Sequence, residues 1–169
     1  MDEDKINRLP PDVKKQFLKL GLKLSEKKNK KKIHDDFLTF VKHVWPEFIE
    51  GKHHKEIANK FNDIANKKIK RLIINMPPRH TKSEFASFLL PAWMVGRKPD
   101  LKIIQSTHTT ELAIRFGRKA KTLMDSPEYK QVFETRLRED SQAAGKWETE
   151  QGGEYYAAGV GSAITGRGA

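Results

Sequence analysis

Residues 71–83 read RLIINMPPRHTKS: an apolar run, two prolines, then Arg79, His80 and Thr81 ahead of an adjacent lysine and serine, Lys82 and Ser83. That order of residue types is what phosphate binding asks for. A buried strand must deliver a tight turn whose backbone N–H groups point inward. A lysine must reach the β- and γ-phosphates, a hydroxyl must ligate Mg²⁺, and a helix must start there so that its dipole favours the anion. Residues 72–76 supply the strand, Lys82 the ammonium and Ser83 the hydroxyl, and the following SEFASFLLPAWMVG reads as the helix. The usual pattern G-x-x-x-x-G-K-[ST] is nevertheless not met, because Met76 stands at the first glycine position, directly before Pro77, and Thr81 at the second, just before the lysine. Glycine at that second point permits close approach to phosphates and an unusual backbone angle. Threonine there carries a cost but leaves the lysine and serine able to act. On the loop alone, a basic strand–helix turn without a ligand explains the residues equally well.

The elements that must position this loop are legible around it. KRLIINM, closed by Pro77 and Pro78, reads as a buried strand, and Pro91 is expected to kink or end the helix after it. DLKIIQST reads as a second buried strand. HTTELAIRFGRKAKTLMD reads as a long helix capped by Thr109 or Thr110, with Glu111 in its first turn. Strand, helix, strand, helix predicts an α/β fold with a parallel sheet. SPEYKQVFE reads as a short helix, and the glycine-punctuated tail from residue 146 as a hairpin or two short strands. Upstream, residues 1–10 read as disordered. Pro10 and Pro11 open a helix carrying Val13, Phe17, Leu18, Leu20, Leu22 and Leu24, and the run EKKNKKK (26–32) reads as a solvated linker or hinge. A second helix is expected over residues 34–45, ended by Pro46, and a third over residues 52–66. The domain division expected is a flexible or helical basic segment over 1–32, then the phosphate-loop domain over 33–169.

Composition bounds the function. The 169 residues suffice for one domain or most of a larger one, and the chain carries 33 Lys and Arg against 22 Asp and Glu, a formal charge of +11. A balance this basic favours polyanionic partners: nucleic acid, nucleotides or an acidic protein surface. There is no cysteine, which excludes disulfides and thiolate zinc sites. No apolar run approaches the roughly 20 residues needed to span a bilayer. The acidic start MDEDKINRLPPD lacks the apolar core of a secretion signal, so cytoplasmic residence is the expectation.

MPPRHTKSE resembles the phosphate loop of tailed-phage large terminase subunits, the ATPases that drive DNA into capsids, many of which read P-P-R-H-G-K-S-E; Thr81 is the departure. GKHHKEIANKF (51–61) is similar to that family's stretch upstream of the loop. KIIQSTHTTELAIRFGRKAK (102–121) is similar to its second strand and following helix, and GGEYYAAGVGSAITGRGA (152–169) to the segment leading into its Walker B strand. The resemblance covers roughly residues 35–169, with the loop and the T-G-R-G-A tail as its specific parts. It implies a P-loop NTPase-type parallel sheet with flanking helices, preceded by a small helical segment, with ATP and Mg²⁺ as cofactors. Lys82 would contact the β- and γ-phosphates, Ser83 would hold Mg²⁺, and the backbone from Pro78 through His80 and Thr81 to Lys82 would form the cradle. Arg79 would sense or stabilise the γ-phosphate, where negative charge develops in phosphoryl transfer. His53 or His54 would contact the adenine base, and Arg167 is the candidate arginine finger for a neighbouring subunit's site. The partners implied are double-stranded DNA, the portal protein and the small terminase subunit, in a homo-oligomeric ring in the cytoplasm of an infected host cell.

Each assignment has a plainer counterpart. Arg79 and His80 could decorate an exposed turn, surface histidines are common at helix starts, and Arg167 between two glycines could belong to an ordinary loop. Ser106, Thr107 and His108 stand at the carboxyl end of the second strand, where open α/β sheets place ligands, but helix capping explains them too. Arg115, Arg118, Lys119 and Lys121 give one helix a basic surface, suited to DNA backbone or simply to water. After T-G-R-G-A the family continues with the Walker B strand, its paired acidic residues and then a nuclease domain. The resemblance therefore implies half an ATPase site in these residues, with little or no hydrolysis by this chain alone. Glu148, Glu150 and Glu154 lie too close to the expected hairpin to be taken as replacements. Two alternatives remain open at this stage: another helicase-like P-loop ATPase, and a non-enzymatic basic DNA-binding module for which the loop is incidental.

Overall fold

A computed structural model of the chain describes residues 10–161; Arg167, with the whole T-G-R-G-A segment, lies outside the described residues. Helix α1 (Pro11–Asp35) opens on proline, whose missing N–H costs nothing at a helix start, and runs for 25 residues. It passes straight through the lysine run, so the expected hinge is instead helix. Lysine and glutamate are good helix formers, and no glycine or proline interrupts residues 22–35. Lys32 and His34 in the last turn favour its negative end. Only near that end, at Ile33, does α1 reach the core; Leu20, Leu22 and Leu24 stay more than half exposed.

The single helix expected over 34–45 is broken at Asp36, whose backbone is extended (φ −124°) and whose carboxylate caps α2 (Phe37–Val44) by accepting the Thr39 N–H at 2.8 Å. Asn62 on α3 (Lys52–Ala65) locks the two helices together. Its Nδ2 donates to Asp36 at 2.8 Å and its Oδ1 accepts the Phe37 N–H at 2.9 Å. Residues 71–77 then have no regular secondary structure, and their side chains alternate exposed and part-buried as those of an extended chain do. At Glu84–Leu89 the next helix widens into a π-turn, the Leu90 N–H reaching the Phe85 carbonyl, before α4 (Leu90–Arg97). Pro91 therefore neither ends nor breaks the helix. The wider turn before it accommodates a residue that has no N–H to donate.

Strand β1 (Lys102–Thr107) leads to α5 (Thr110–Asp125), capped by Thr109, and to the short α6 (Pro127–Val132). The sheet is completed by β2 (Leu137–Ala143), β3 (Lys146–Thr149) and β4 (Glu154–Gly159). Its order is β1-β4-β3-β2. β1 and β4 pair in parallel, from Lys102 opposite Glu154 to Thr107 opposite Gly159, whereas β3 runs antiparallel to both β4 and β2. The fold is thus mixed α/β, with the expected hairpin at β3–β4 and an additional strand, β2.

Two expectations are corrected here. The sheet of the described residues is mixed rather than parallel, and KRLIINM is not one of its strands. Leu72 and Ile74 pack on the core, while Ile73 between them is 86% exposed. That alternation is strand-like, yet among the described residues no neighbour takes up its backbone in a ladder.

The core joins the helices to the sheet. Phe37 is completely buried at the centre of an aromatic cluster, edge-on to Phe61 at 5.1 Å and to Phe85 and Trp93 at 5.4 Å. Such edge-to-face pairs add about 0.5–1.5 kcal/mol each beyond the area they bury. Against the sheet, Trp147 and Tyr155 stack with centroids 4.7 Å apart, and the indole N–H donates to Gly117 O of α5 at 3.2 Å. A Cβ on Gly117 would stand 2.5 Å from the Ala144 carbonyl, so glycine is what lets α5 lie directly on the β2–β3 turn. No helix among the described residues is long and apolar enough to cross a membrane.

Candidate phosphate-binding site

The extended run 71–77 ends at two prolines, which fix the backbone and then release it into the turn 78–81. Arg79 (φ +64°) and Thr81 (φ +58°) both take the left-handed backbone normally left to glycine. The helix opens at Lys82, and its first closing bond runs from the Phe85 N–H to the Thr81 carbonyl at 2.9 Å. The N–H groups of Lys82, Ser83 and Glu84 precede that bond and leave the helix end unpaired within the helix, on the side where its dipole is positive. Lys82 folds back so that its ammonium donates to Met76 O, at a long 3.5 Å. Ser83 is exposed beside it and its side chain does not cap the helix. Loop and lysine therefore meet at one helix terminus.

Behind the loop stands a small imidazole cluster. His54 on α3 is 6% exposed. Its Nδ1 accepts the Gly51 N–H at 2.8 Å, and its Nε2 lies 2.6 Å from Thr81 Oγ1. The Thr81 hydroxyl in turn donates to His80 O at 2.6 Å. Burial holds the His54 imidazole below the ordinary histidine range. The neighbouring His53 and, less, His80 push the same way, and Glu50 pulls against them. The His53 ring lies 3.8 Å from that of His54 and 5.8 Å from that of His80. His80 is exposed, and its Nδ1 bonds the Pro78 carbonyl at 2.9 Å, closing the turn.

From the loop a groove of about 610 Å³ runs between α3 and the extended segment, with Ile57, Leu72, Ile74 and Met76 among its apolar lining residues and His53, Glu56, Asn59, Lys60 and Asn75 among its polar ones. On the other flank Glu84, in the first turn after Ser83, is bridged through both carboxylate oxygens by Lys119 of α5 at 2.7 and 2.9 Å. Lys119 also sits over the Phe88 ring at 5.3 Å.

The structure gathers Pro78, Arg79, His80, Thr81, Lys82, Ser83 and His54 in one place. His54 is hydrogen-bonded to the loop through Thr81, whereas His53 lines the groove and lies beside His80. Ser106, Thr107 and His108 stand at the carboxyl end of β1, where the Thr107 hydroxyl donates to Thr109 O at 2.7 Å. Arg115 and Arg118 lie exposed on α5 beside Thr109, Leu112 and Ile114. Glu148 and Glu154 lie on the β3–β4 hairpin, Glu148 taken up by Arg138 at 3.0 Å. Sequence reasoning missed the bond between His54 and Thr81, the left-handed backbone at Arg79 and the Lys119–Glu84 bridge. The one available signal was a threonine at the glycine position.

The donor set suits a triphosphate: unpaired first-turn N–H groups, an ammonium held by one long hydrogen bond, and a free-standing hydroxyl. Mg²⁺ keeps several waters and takes phosphate oxygens, so one serine hydroxyl is an adequate protein ligand. Among the described residues no group of three histidine or carboxylate side chains forms a protein metal cage. Comparison with known protein families, with curated proteins and with solved structures returns no match for this chain.

Proposed function

We propose that residues 77–84 are the phosphate-binding loop of an ATP-binding domain of the terminase large-subunit kind, a DNA-translocating P-loop NTPase. The observation that carries this reading is the backbone of the turn. Two non-glycine residues, Arg79 and Thr81, hold left-handed conformations directly before a helix that opens on Lys82 and Ser83. Strain of this kind survives only where the surroundings enforce it, and it concentrates at ligand clamps. Lys67, in the turn after α3, takes the same backbone singly (φ +60°); what sets the loop apart is two such residues one apart, directly ahead of a helix N-terminus.

In this reading Lys82 leaves Met76 O for the β- and γ-phosphates, and Ser83 ligates Mg²⁺. The N–H groups from residue 79 to residue 84 surround the phosphates, and Arg79 answers charge developing on the γ-phosphate. Bound ATP supplies the transferable phosphoryl group. The groove offers the base an apolar wall of Ile57, Leu72 and Ile74 beside His53, with polar groups of Glu56, Asn59 and Lys60 along it. The extended, unpaired segment 71–77 takes the place of the strand that leads into a phosphate loop, and a sheet completed on it would have the P-loop arrangement. Arg167 remains the proposed finger toward a neighbouring subunit. Double-stranded DNA, the portal protein and the small terminase subunit are the proposed partners in a ring assembly, in the cytoplasm of an infected cell.

A second reading, a basic DNA-binding module without nucleotide chemistry, is favoured by the exposed lysines of α1 and the net charge of +11. The two separate cleanly on Lys82→Ala. Calorimetric titration with Mg²⁺–ATP is expected to give binding by the unaltered chain that Lys82→Ala removes. Binding of duplex DNA together with indifference to ATP in both forms would support the module.

A further inference from the structure

Thr81 breaks the phosphate-loop pattern, and its neighbours compensate locally. A β-branched side chain in the left-handed region is strained, because its Cβ crowds the following carbonyl. Two short hydrogen bonds converge on its hydroxyl, one shared with His54 Nε2 and one given to His80 O, each 2.6 Å. The donor in the first bond is settled by the far side of the ring. Gly51 gives its N–H to His54 Nδ1 at 2.8 Å, so Nδ1 carries a lone pair and the ring proton sits on Nε2. The sequence of bonds is therefore Gly51 N–H to His54, His54 Nε2–H to Thr81, and Thr81 O–H to the His80 carbonyl. It ties the first turn of α3 to the middle of the loop, and it is complete only with a neutral imidazole.

We propose that His54 and Thr81 are a positioning pair for the phosphate loop, closed while His54 is neutral and released when it takes up a proton, so that phosphate binding is gated by pH. The proposal rests on the phosphate-loop reading and adds its regulation. Protonation puts a second N–H on Nδ1, facing the Gly51 N–H across 2.8 Å. Two donors cannot share that contact, so the ring must turn or withdraw, and it takes its Nε2–H from Thr81. Without that bond the threonine has less reason to hold φ +58°. The surroundings of His54 are otherwise apolar or weakly charged. The Phe48 and Phe85 rings pack on it at 4.8 and 5.2 Å, and the titratable groups facing it are Glu50 before α3, His53 on α3 and His80 in the loop. Glu50 is held in turn by Lys42 and Lys55. Burial of His54 and the adjacent imidazoles place the transition below the ordinary histidine range.

The test is Mg²⁺–ATP affinity measured by calorimetry from about pH 5 to about pH 8, on the full chain and on the variants Thr81→Gly and His54→Gln. The unaltered chain is expected to lose affinity roughly tenfold or more toward acid pH, in the range of an ordinary coupling between linked sites. Thr81→Gly reaches the left-handed backbone unaided, so it should bind across the range without that step. His54→Gln, which keeps an amide donor near Nε2 and cannot titrate, should also lose the step. The ionisation of ATP is common to all three proteins and cancels in the comparison. An unchanged step in Thr81→Gly overturns the proposal. So does affinity that rises toward acid, as an imidazolium acting only by its charge would give.

A second readout does not need nucleotide. In nitrogen-15 NMR spectra of the full chain, His54 should show the Nε2-protonated tautomer, and the Thr81 amide should move with the same midpoint as the His54 ring. If no ATP binds at any pH, the phosphate-loop reading fails, and this co-titration alone decides the pair. Independent titration, or an Nδ1-protonated His54, overturns it.

Discussion

Asp36→Ala should loosen the joint on which the site's helix is hung. Asp36 accepts three hydrogen bonds: the Thr39 N–H at 2.8 Å, the Thr39 hydroxyl at 2.7 Å and Asn62 Nδ2 at 2.8 Å. The first is a helix cap, worth about 1 kcal/mol. The other two, to an ionised acceptor in a part-buried setting, contribute about 0.5–1 kcal/mol each. The variant should therefore lose about 2–3 kcal/mol. For a chain of this size that is a drop of roughly 4–12 °C in the unfolding midpoint. The pH dependence checks the mechanism. Burial alone would raise the Asp36 carboxyl, but the bonds from Thr39 and Asn62, with Lys32 nearby, outweigh it and hold it below its ordinary value of 3.8. A carboxyl whose folded value is lowered contributes fully above the unfolded value and loses that contribution as pH falls through the folded one. Thermal unfolding followed by circular dichroism at neutral pH and again near about pH 2 should thus show a large difference between wild type and variant that closes in acid. A difference that is absent at neutral pH, or undiminished in acid, would refute the account of this joint.

Three further outcomes are expected. Thr149→Val should destabilise by about 1–3 kcal/mol in denaturant titrations, because it strips both Pro99 O (2.5 Å) and the Gly153 N–H (2.8 Å) of their shared partner. Gly117→Ala should cost about 1–3 kcal/mol by overpacking, as its Cβ meets the Ala144 carbonyl backbone, which cannot swing aside. Replacing Lys27, Lys28, Lys30 and Lys31 on the exposed part of α1 with glutamine should weaken duplex DNA binding and flatten its salt dependence. The slope should fall by about 0.9 for each phosphate no longer neutralised, while thermal stability stays unchanged.

The parts of the fold that the sequence made legible were those governed by local rules. Thr109 before an amphipathic run announced α5, the proline before residue 12 announced α1, and glycines at 152 and 153 announced the β3–β4 hairpin. What misled was chemistry judged by composition. The lysine run looked like a linker because it is charged, yet charge does not oppose helix when each lysine points to water. Pro91 looked like a kink or an end to the helix; it does not end it, because a six-residue π-turn with no local signature precedes it and absorbs the proline. KRLIINM looked buried because it is apolar, and its exposed Ile73 shows that an apolar strand is only as buried as its neighbours make it. At the site, the order of Lys82 and Ser83 could be read directly. The partner of Thr81 lies 27 residues away and became visible only when α3 was packed behind the loop.

The central claim is that this loop takes the terminal phosphates of a nucleotide, and a competition titration tests it most directly: ATP, ADP, AMP and inorganic triphosphate, each with Mg²⁺, against one labelled ATP analogue on the chain and on Lys82→Ala. The account predicts that ATP and triphosphate compete strongly, ADP less and AMP hardly at all, and that Lys82→Ala loses the analogue altogether. AMP competing as well as ATP, or an analogue held equally by Lys82→Ala, would contradict it.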